Sequence, residues 1–409
     1  MIALERIDHA LLDGDHGAAA ARAMAILMRY GEASGARRFV SVQSAHIDGC
    51  LYHGPSSIDF ARRFVDLGGR VRVPTTLNVA AVDVTHPEWH CGPPGLIPAQ
   101  SELTELHEKL GCVATLTCAP YQRMIRPHFG EHVAWAESNA IVFVNSVLGA
   151  RTDRYGDFAD LCAALTGRVP MVGLHCDENR RAQCIVDAPL PDAAAMPRDL
   201  YFAAMGYVLG RSANGQVPLL RGLPRDATED ELKALGAAGA SSGALALFHA
   251  EGVTPEAGEQ MLDGLPTLTI TAAELGAAVA SLCPVKPGER VAAICLGTPH
   301  YSIGEFRTLS NAVKGRTPAP SVSIFVSTSR EIAALVQADP NLAPLRAFGV
   351  QLVVDTCTYL APVVAERNGA ILTTSGKYAH YGPGNLQRRI GLMTLERCIR
   401  SAEINEVAP

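Results

Sequence analysis

The chain has no run of lysines and arginines, and its formal net charge is −6. That balance argues against a nucleic-acid surface, because phosphate binding needs a clustered basic face. No stretch approaches the roughly 18 consecutive apolar residues that span a bilayer. The opening MIALERIDHALLDGDHG carries acids and lacks an apolar segment, so it does not read as a signal peptide. A cytoplasmic protein is expected, with no membrane and no nucleic-acid partner. The 11 cysteines include no CxxC pair, which removes zinc-ribbon chemistry and suits a compartment where thiols stay reduced. No P-loop GxxxxGK is present, no GxGxxG leads from a strand into a helix, and HExxH does not occur. Nucleotide and zincin readings fall with them.

What is present is alternation. At 409 residues the chain is too long for one core, and 37 Gly with 26 Pro mark many turns. Gly17 to Ala33 has helical spacing, RRFVSVQSAHI (37–47) reads as a buried strand, and a helix from Ser57 stops at Gly68-Gly69. RVRVPTTLN (70–78) is a further strand. CVATLTCAPY (112–121) and NAIVFVNSVLGAR (139–151) are apolar segments ending in polar loops. PMVGLHC (170–176) follows a helix around YGDFADLCAALTG. The repeated alternation implies an α/β protein with mostly parallel sheets covered by helices. A second region begins near PLLRGLP, its helix opening on a Thr228/Glu231 capping box. After CPVKPGE the pattern is that of a small doubly wound domain: four strands, RVAAICLG, SVSIFVSTS, VQLVVDTC and AILTTSG, with a helix after each of the first three. The expected domains are 1–215, 216–285 and 286–409.

Polar groups cluster where these strands run out, the end at which α/β enzymes display reactive side chains. SAHIDGCLYHG offers His46, Asp48, Cys50 and His53; TTLN ends on Asn78; AESNA puts Glu137 and Ser138 at a helix-to-strand junction. NSVLGARTDR carries Asn145, Ser146 and two arginines suited to a carboxylate. SSGALALFH is a loop whose N–H groups suit an anion at a helix start. TPHYS and TSGKYAHYGPG supply His300, Lys377 and His380. Cys118, Cys295 and Cys357 each end an apolar run, and three converging thiolates would hold an iron centre with one face open. Taken singly, each has a plainer reading: a Ser or Asn at a strand end usually makes a turn or cap, and a lone Cys on an apolar strand usually packs. Cys112, Cys162, Cys283 and Cys398 fit that description.

LLDGDHG, SAHIDGCLYHG, TTLN, TCAPY, ESNA, NSVLGARTDR, SSGALALFHAEGVTPEA, GTPH and SGKYAHYGPG, in this order, resemble the large-subunit part of the aconitase X family from Leu11 to about Gln387. The resemblance implies an aconitase-like fold of three α/β domains with the active site at the domain junction. It also implies a hydro-lyase, of the type that dehydrates cis-3-hydroxy-L-proline to Δ1-pyrroline-2-carboxylate. Phosphomevalonate dehydratase is the alternative within the family, and a non-catalytic iron–sulfur or substrate-binding protein the alternative outside it. The cofactor implied is an iron–sulfur cluster (2Fe-2S or 4Fe-4S) or a mononuclear iron. Its ligands fall on Cys118 and Cys357, with Cys295 standing in for a cysteine that other members place where this chain has Thr298. Gly49, Cys50, Leu51, Asn78, Glu137, Ser138 and Lys377 fall on substrate contacts, and Lys377, Glu137 and Ser138 are expected to be catalytic. The substrate is a small carboxylate. The family's small swivelling domain finds no length at either end, so a separate small subunit is implied, and with it the base, a serine of that subunit.

Overall fold

Residues 2–192 and 196–409 are described by the structure, a computed structural model. They divide into two units: residues up to Ala81 with Pro94–Arg181, and Val82–Pro93 with Ala182–Pro409. The first unit contains α1 (Arg6–Asp13), α2 (Ala18–Ala33), β1 (Phe39–Ser41), β2 (Ala45–Ile47), α3 (Pro55–Asp66) and β3 (Thr75–Leu77). It continues with α4 (Leu96–Lys109), β4 (Ala134–Trp135), α5 (Ser138–Ser146), α6 (Ala159–Thr166) and β5 (Arg168–Pro170). Strands β3, β2 and β4 form a parallel sheet in that order, with His46 opposite Thr76 and Trp135. The expected strand over 37–47 is two strands in different sheets, because β1 pairs antiparallel with β5.

The second unit contains β6 (Cys184–Asp187), α7 (Arg198–Ala213), β7 (Pro218–Arg221), α8 (Glu229–Gly243), β8 (His249–Ala250), β9 (Thr267–Thr269) and α9 (Ala272–Ser281). Then come β10 (Val291–Leu296), α10 (Ile303–Val313), β11 (Ser323–Ser327), α11 (Arg330–Ala338), α12 (Ala343–Ala347) and β12 (Val350–Val353). Last are β13 (Ala370–Thr373), α13 (Gly376–Leu386), β14 (Ile390–Leu392) and α14 (Leu395–Ile404). Two parallel sheets result, β8-β7-β6-β9 and β12-β11-β10-β13-β14. Strand β6 pairs with β7, so the sheet runs across the boundary expected after residue 215. The capping box of Thr228 and Glu231 opens α8 as its sequence implies.

The five-stranded sheet buries Val291, Ile294, Leu296, Phe306, Ile324 and Leu372 in one core. Its order reverses between β10 and β13, and that reversal leaves a crevice beyond their carboxyl ends. Helices α7 and α8 cross with backbones in near contact. A methyl on Gly206 would sit 2.0 Å from the Leu235 carbonyl, and one on Gly243 1.8 Å from that of Gly210.

Four expectations change. Residues 139–146 are helix α5, not an extended run; the helix is buried on all sides and so shows no polar face. The segment 112–118 is extended but joins β3 through one bridge, Thr76 to Val113, and Leu116 at φ 45° ends any ladder. No helix lies between β12 and β13. Ser241 to Gly243 close the C-terminal turn of α8, where carbonyls rather than N–H groups are presented, so they are no anion cradle.

Candidate metal and substrate site

In the first unit the carboxyl ends of β3, β2 and β4 carry Asn78, the loop Asp48–Leu51 and Glu137. Asp160, from α6, shapes that loop: its Oδ2 accepts from the backbone N–H of Asp48 (2.7 Å) and Gly49 (3.1 Å). The Asn78 amide donates to Asp48 Oδ1. Burial, with Glu137, Asp157 and Asp160 adding repulsion, pushes the Asp48 carboxyl up to about 8, so it keeps its proton at neutral pH. Burial likewise raises Asp160 to about 6 and lowers His46 to about 4. The backbone N–H of Gly49 is thus engaged by Asp160, and that of Leu51 by the Asp48 carbonyl at 3.1 Å. Cys50 is fully buried, its thiol donating to the carbonyls of Ile47 (3.2 Å) and Asn78 (3.3 Å).

Glu137 and Ser138 stand at a strand-to-helix junction, the reverse of the expected order. Glu137 is the N-cap of α5: its Oε2 accepts from the Ala140 N–H at 2.7 Å and its Oε1 from the Ser138 hydroxyl at 3.1 Å. Cys118 follows the extended segment beside β3 and is buried. Its carbonyl accepts from Asn139 Nδ2 (3.1 Å), which also reaches the Tyr121 hydroxyl (3.0 Å). Two side chains of the 145–154 stretch are engaged within the protein. Asn145 pins Thr152 and Arg180 at 3.0 Å each, and Arg151 pairs with Asp177.

In the second unit, the turn after β10 needs Gly297. Its φ is +84°, and a Cβ there would sit 2.0 Å from the Ser327 carbonyl. Thr298, joined to Pro299 by a cis peptide, and His300 follow into the crevice. His300 Nε2 lies 3.1 Å from the Thr356 carbonyl. A carbonyl only accepts, so Nε2 carries the ring proton and Nδ1 the lone pair. That is the second-shell pattern which orients a histidine as a metal ligand. Cys357 lies four residues past β12. The intervening turn is fixed by Asp355 at φ 65°, paired with Arg330 (2.8 Å), and by Asp83, which accepts from the Val354 N–H at 3.0 Å. The ligand atoms of His300 and Cys357 lie within 4.8 Å of one another, and both residues are buried.

Cys295 is not part of that pairing. It sits fully buried inside β10, where burial pushes its thiol up to about 11. Its side chain packs within the sheet, apart from the groups whose ligand atoms converge. His300, two residues past Thr298, is the first ligand-type side chain beyond the strand. Its place in TPH was the available signal. Asp160 had none, because nothing in DFADLC marks it as a loop anchor.

Lys377 lies in the first turn of α13 and is buried. Ser375 caps that helix, accepting from the Tyr378 N–H at 3.0 Å and donating to the Thr298 carbonyl. The helix N-terminus and the ammonium both carry positive charge there, which suits an anionic group nearby. Four buried hydroxyls without a protein partner, Thr298 Oγ1, Ser327 Oγ, Thr356 Oγ1 and Thr358 Oγ1, belong to the ends of β10 and β11 and the turn after β12. Buried polar atoms are normally satisfied, and this set asks for a bound group.

Among known proteins, the aconitase X first, second and third domains match residues 1–178, 182–280 and 291–404. A cis-3-hydroxy-L-proline dehydratase of Pseudomonas aeruginosa is 40% identical over 98% of this chain and 70% of its own. A phosphomevalonate dehydratase large subunit of Thermococcus kodakarensis is 35% identical over 92% of this chain and 94% of its own. The crystal structure of Thermococcus kodakaraensis aconitase X, in its holo-form, superposes with a TM-score of 0.88 at 34% identity, covering 98% of this chain and 100% of that one. The chain belongs to the aconitase X family, as a large-subunit-type hydro-lyase of three α/β domains.

Proposed function

We propose that this chain is the metal-holding part of a dehydratase that converts cis-3-hydroxy-L-proline to Δ1-pyrroline-2-carboxylate together with a small swivelling subunit. The observation that carries the reading is the His300–Cys357 pair, with the imidazole tautomer fixed by Thr356. Cys118 is the third ligand in this reading, buried like the other two and ending a strand-like run. Two thiolates and one imidazole suit a soft or borderline metal rather than magnesium or calcium. They favour mononuclear iron or a 2Fe-2S cluster over 4Fe-4S, which draws mainly on cysteine. The orphaned hydroxyls of Thr298, Ser327 and Thr356 fit such a group as hydrogen-bond donors.

A bound metal would supply Lewis acidity toward the leaving 3-hydroxyl. The chain's own residues do the rest of the holding. Lys377 receives the substrate carboxylate, where negative charge grows as the α-proton departs. Asn78, Ser138 and Glu137 orient the ring, and the Gly49–Leu51 loop walls it. Cys50 contributes shape alone, since its thiol is engaged inward. The base comes from the partner. Loss of the C2 proton and the C3 hydroxyl yields water and an enamine, which tautomerises to the Δ1-imine. Identity to hydroxyproline dehydratases, at 40% and 39%, exceeds that to the phosphomevalonate enzymes, at 29–35%.

The test is a dehydration assay on the chain co-produced with its small subunit, with both substrates. Pyrroline-2-carboxylate is expected from cis-3-hydroxy-L-proline, only in the complex, and no turnover of phosphomevalonate. Turnover of phosphomevalonate alone would transfer the chain to the other branch, and turnover of neither would end the catalytic reading.

A further inference from the structure

Lys233 lies within α8 and is 1% exposed, so its ammonium needs partners from the protein. Its Nζ donates to Asp230 Oδ1 at 3.0 Å, to Glu305 Oε2, and to the backbone carbonyl of His300 at 3.3 Å. The two carboxylates close on the same segment. Ser302, the N-cap of α10, donates its hydroxyl to Asp230 Oδ2 at 2.7 Å and its N–H to Glu305 Oε2 at 2.8 Å. The residues from His300 to Glu305 are therefore held by an ionic network whose cation, from α8, is buried and whose carboxylates are partly exposed.

An ion pair with its cation buried is a poor stabiliser, because desolvation cancels most of its attraction. What it supplies is direction. The His300 backbone is fixed by Lys233 and its ring by the Thr356 carbonyl, so the imidazole is held at both ends. We propose that the Lys233–Asp230–Glu305 network is a positioning device for His300, setting the backbone from which Nδ1 is presented beside Cys357. This rests on the reading of His300 and Cys357 as metal ligands. The plainer alternative is that the network only ties α8 to α10.

The two are separated by replacing the whole network with neutral groups of similar volume, Asp230→Asn, Lys233→Met and Glu305→Gln together, in the chain co-produced with its small subunit. The readouts are the thermal midpoint, ferrous-iron affinity by anaerobic chelator competition, and the thiolate-to-iron absorption band. A positioning role predicts a folded variant whose iron affinity falls roughly 10–100-fold, as for other second-shell losses, with a shifted band. Unchanged affinity and an unchanged band in the folded variant would overturn the proposal. Lys233→Arg keeps the charge and moves the donors, so it decides the question if the triple variant does not fold, with the same two outcomes. A parent protein that binds no iron would overturn the ligand reading itself, and this inference with it.

Discussion

Two side chains of the first unit respond to pH in opposite directions. His175 is held down to about 3 by burial, with His132, Arg180 and Arg151 adding to it. Its unfolded value is near 6.5, so below that pH the unfolded chain binds the extra proton and stability is lost as pH falls toward 3. The slope is about 1.4 kcal/mol per pH unit for one such group. His175→Gln should flatten the decline of the melting temperature between pH 7 and pH 5; an identical decline would contradict the assignment. Asp48 is raised to about 8, so its contribution is full below its unfolded value and is lost as pH rises through 8. Asp48→Asn should therefore melt less far below its neutral-pH value at pH 9 than the parent does, by the same thermal assay. Neither shift was legible in the sequence. Each arises from groups far apart in the chain, such as Asp48 with Asp160 or His132 with His175.

At the scale of elements, the closest packing lies between α7 and α8. Gly206, Gly210, Gly239 and Gly243 let the two backbones touch. Gly206→Ala would drive a methyl into the Leu235 carbonyl and should cost ~1–3 kcal/mol, the range for overpacking, read as a lower denaturation midpoint. An unchanged midpoint would mean that the helices part freely. The last sheet was legible because RVAAICLG, SVSIFVSTS, VQLVVDTC and AILTTSG are short apolar runs bounded by turns. Helix α5 was not, because NAIVFVNS is buried on every side and presents no amphipathic period. The SSG stretch misled for a different reason: small residues close the end of α8 against α7 rather than opening a helix.

At the scale of the whole molecule, the residues that the resemblance points to come from distant stretches of chain and mostly stand at strand ends. Cys295 differs in its placement. Cys295 has the expected side chain for a thiolate ligand, but it lies inside β10, whose six residues are all buried. His300 lies past the strand, on the turn that the strand-order reversal opens. Burial within a sheet, rather than residue type, separates their positions. None of the described helices is long and apolar enough to cross a membrane. The assay of the two-subunit complex tests substrate and partner, while the metal centre can be examined without turnover.

The most direct test is iron bound per chain after anaerobic reconstitution, for the parent and for Cys357→Ser, His300→Ala and Cys295→Ser. The account predicts that the parent and Cys295→Ser hold iron to the same extent, and that Cys357→Ser and His300→Ala lose it. Iron retained by His300→Ala and lost by Cys295→Ser would contradict it.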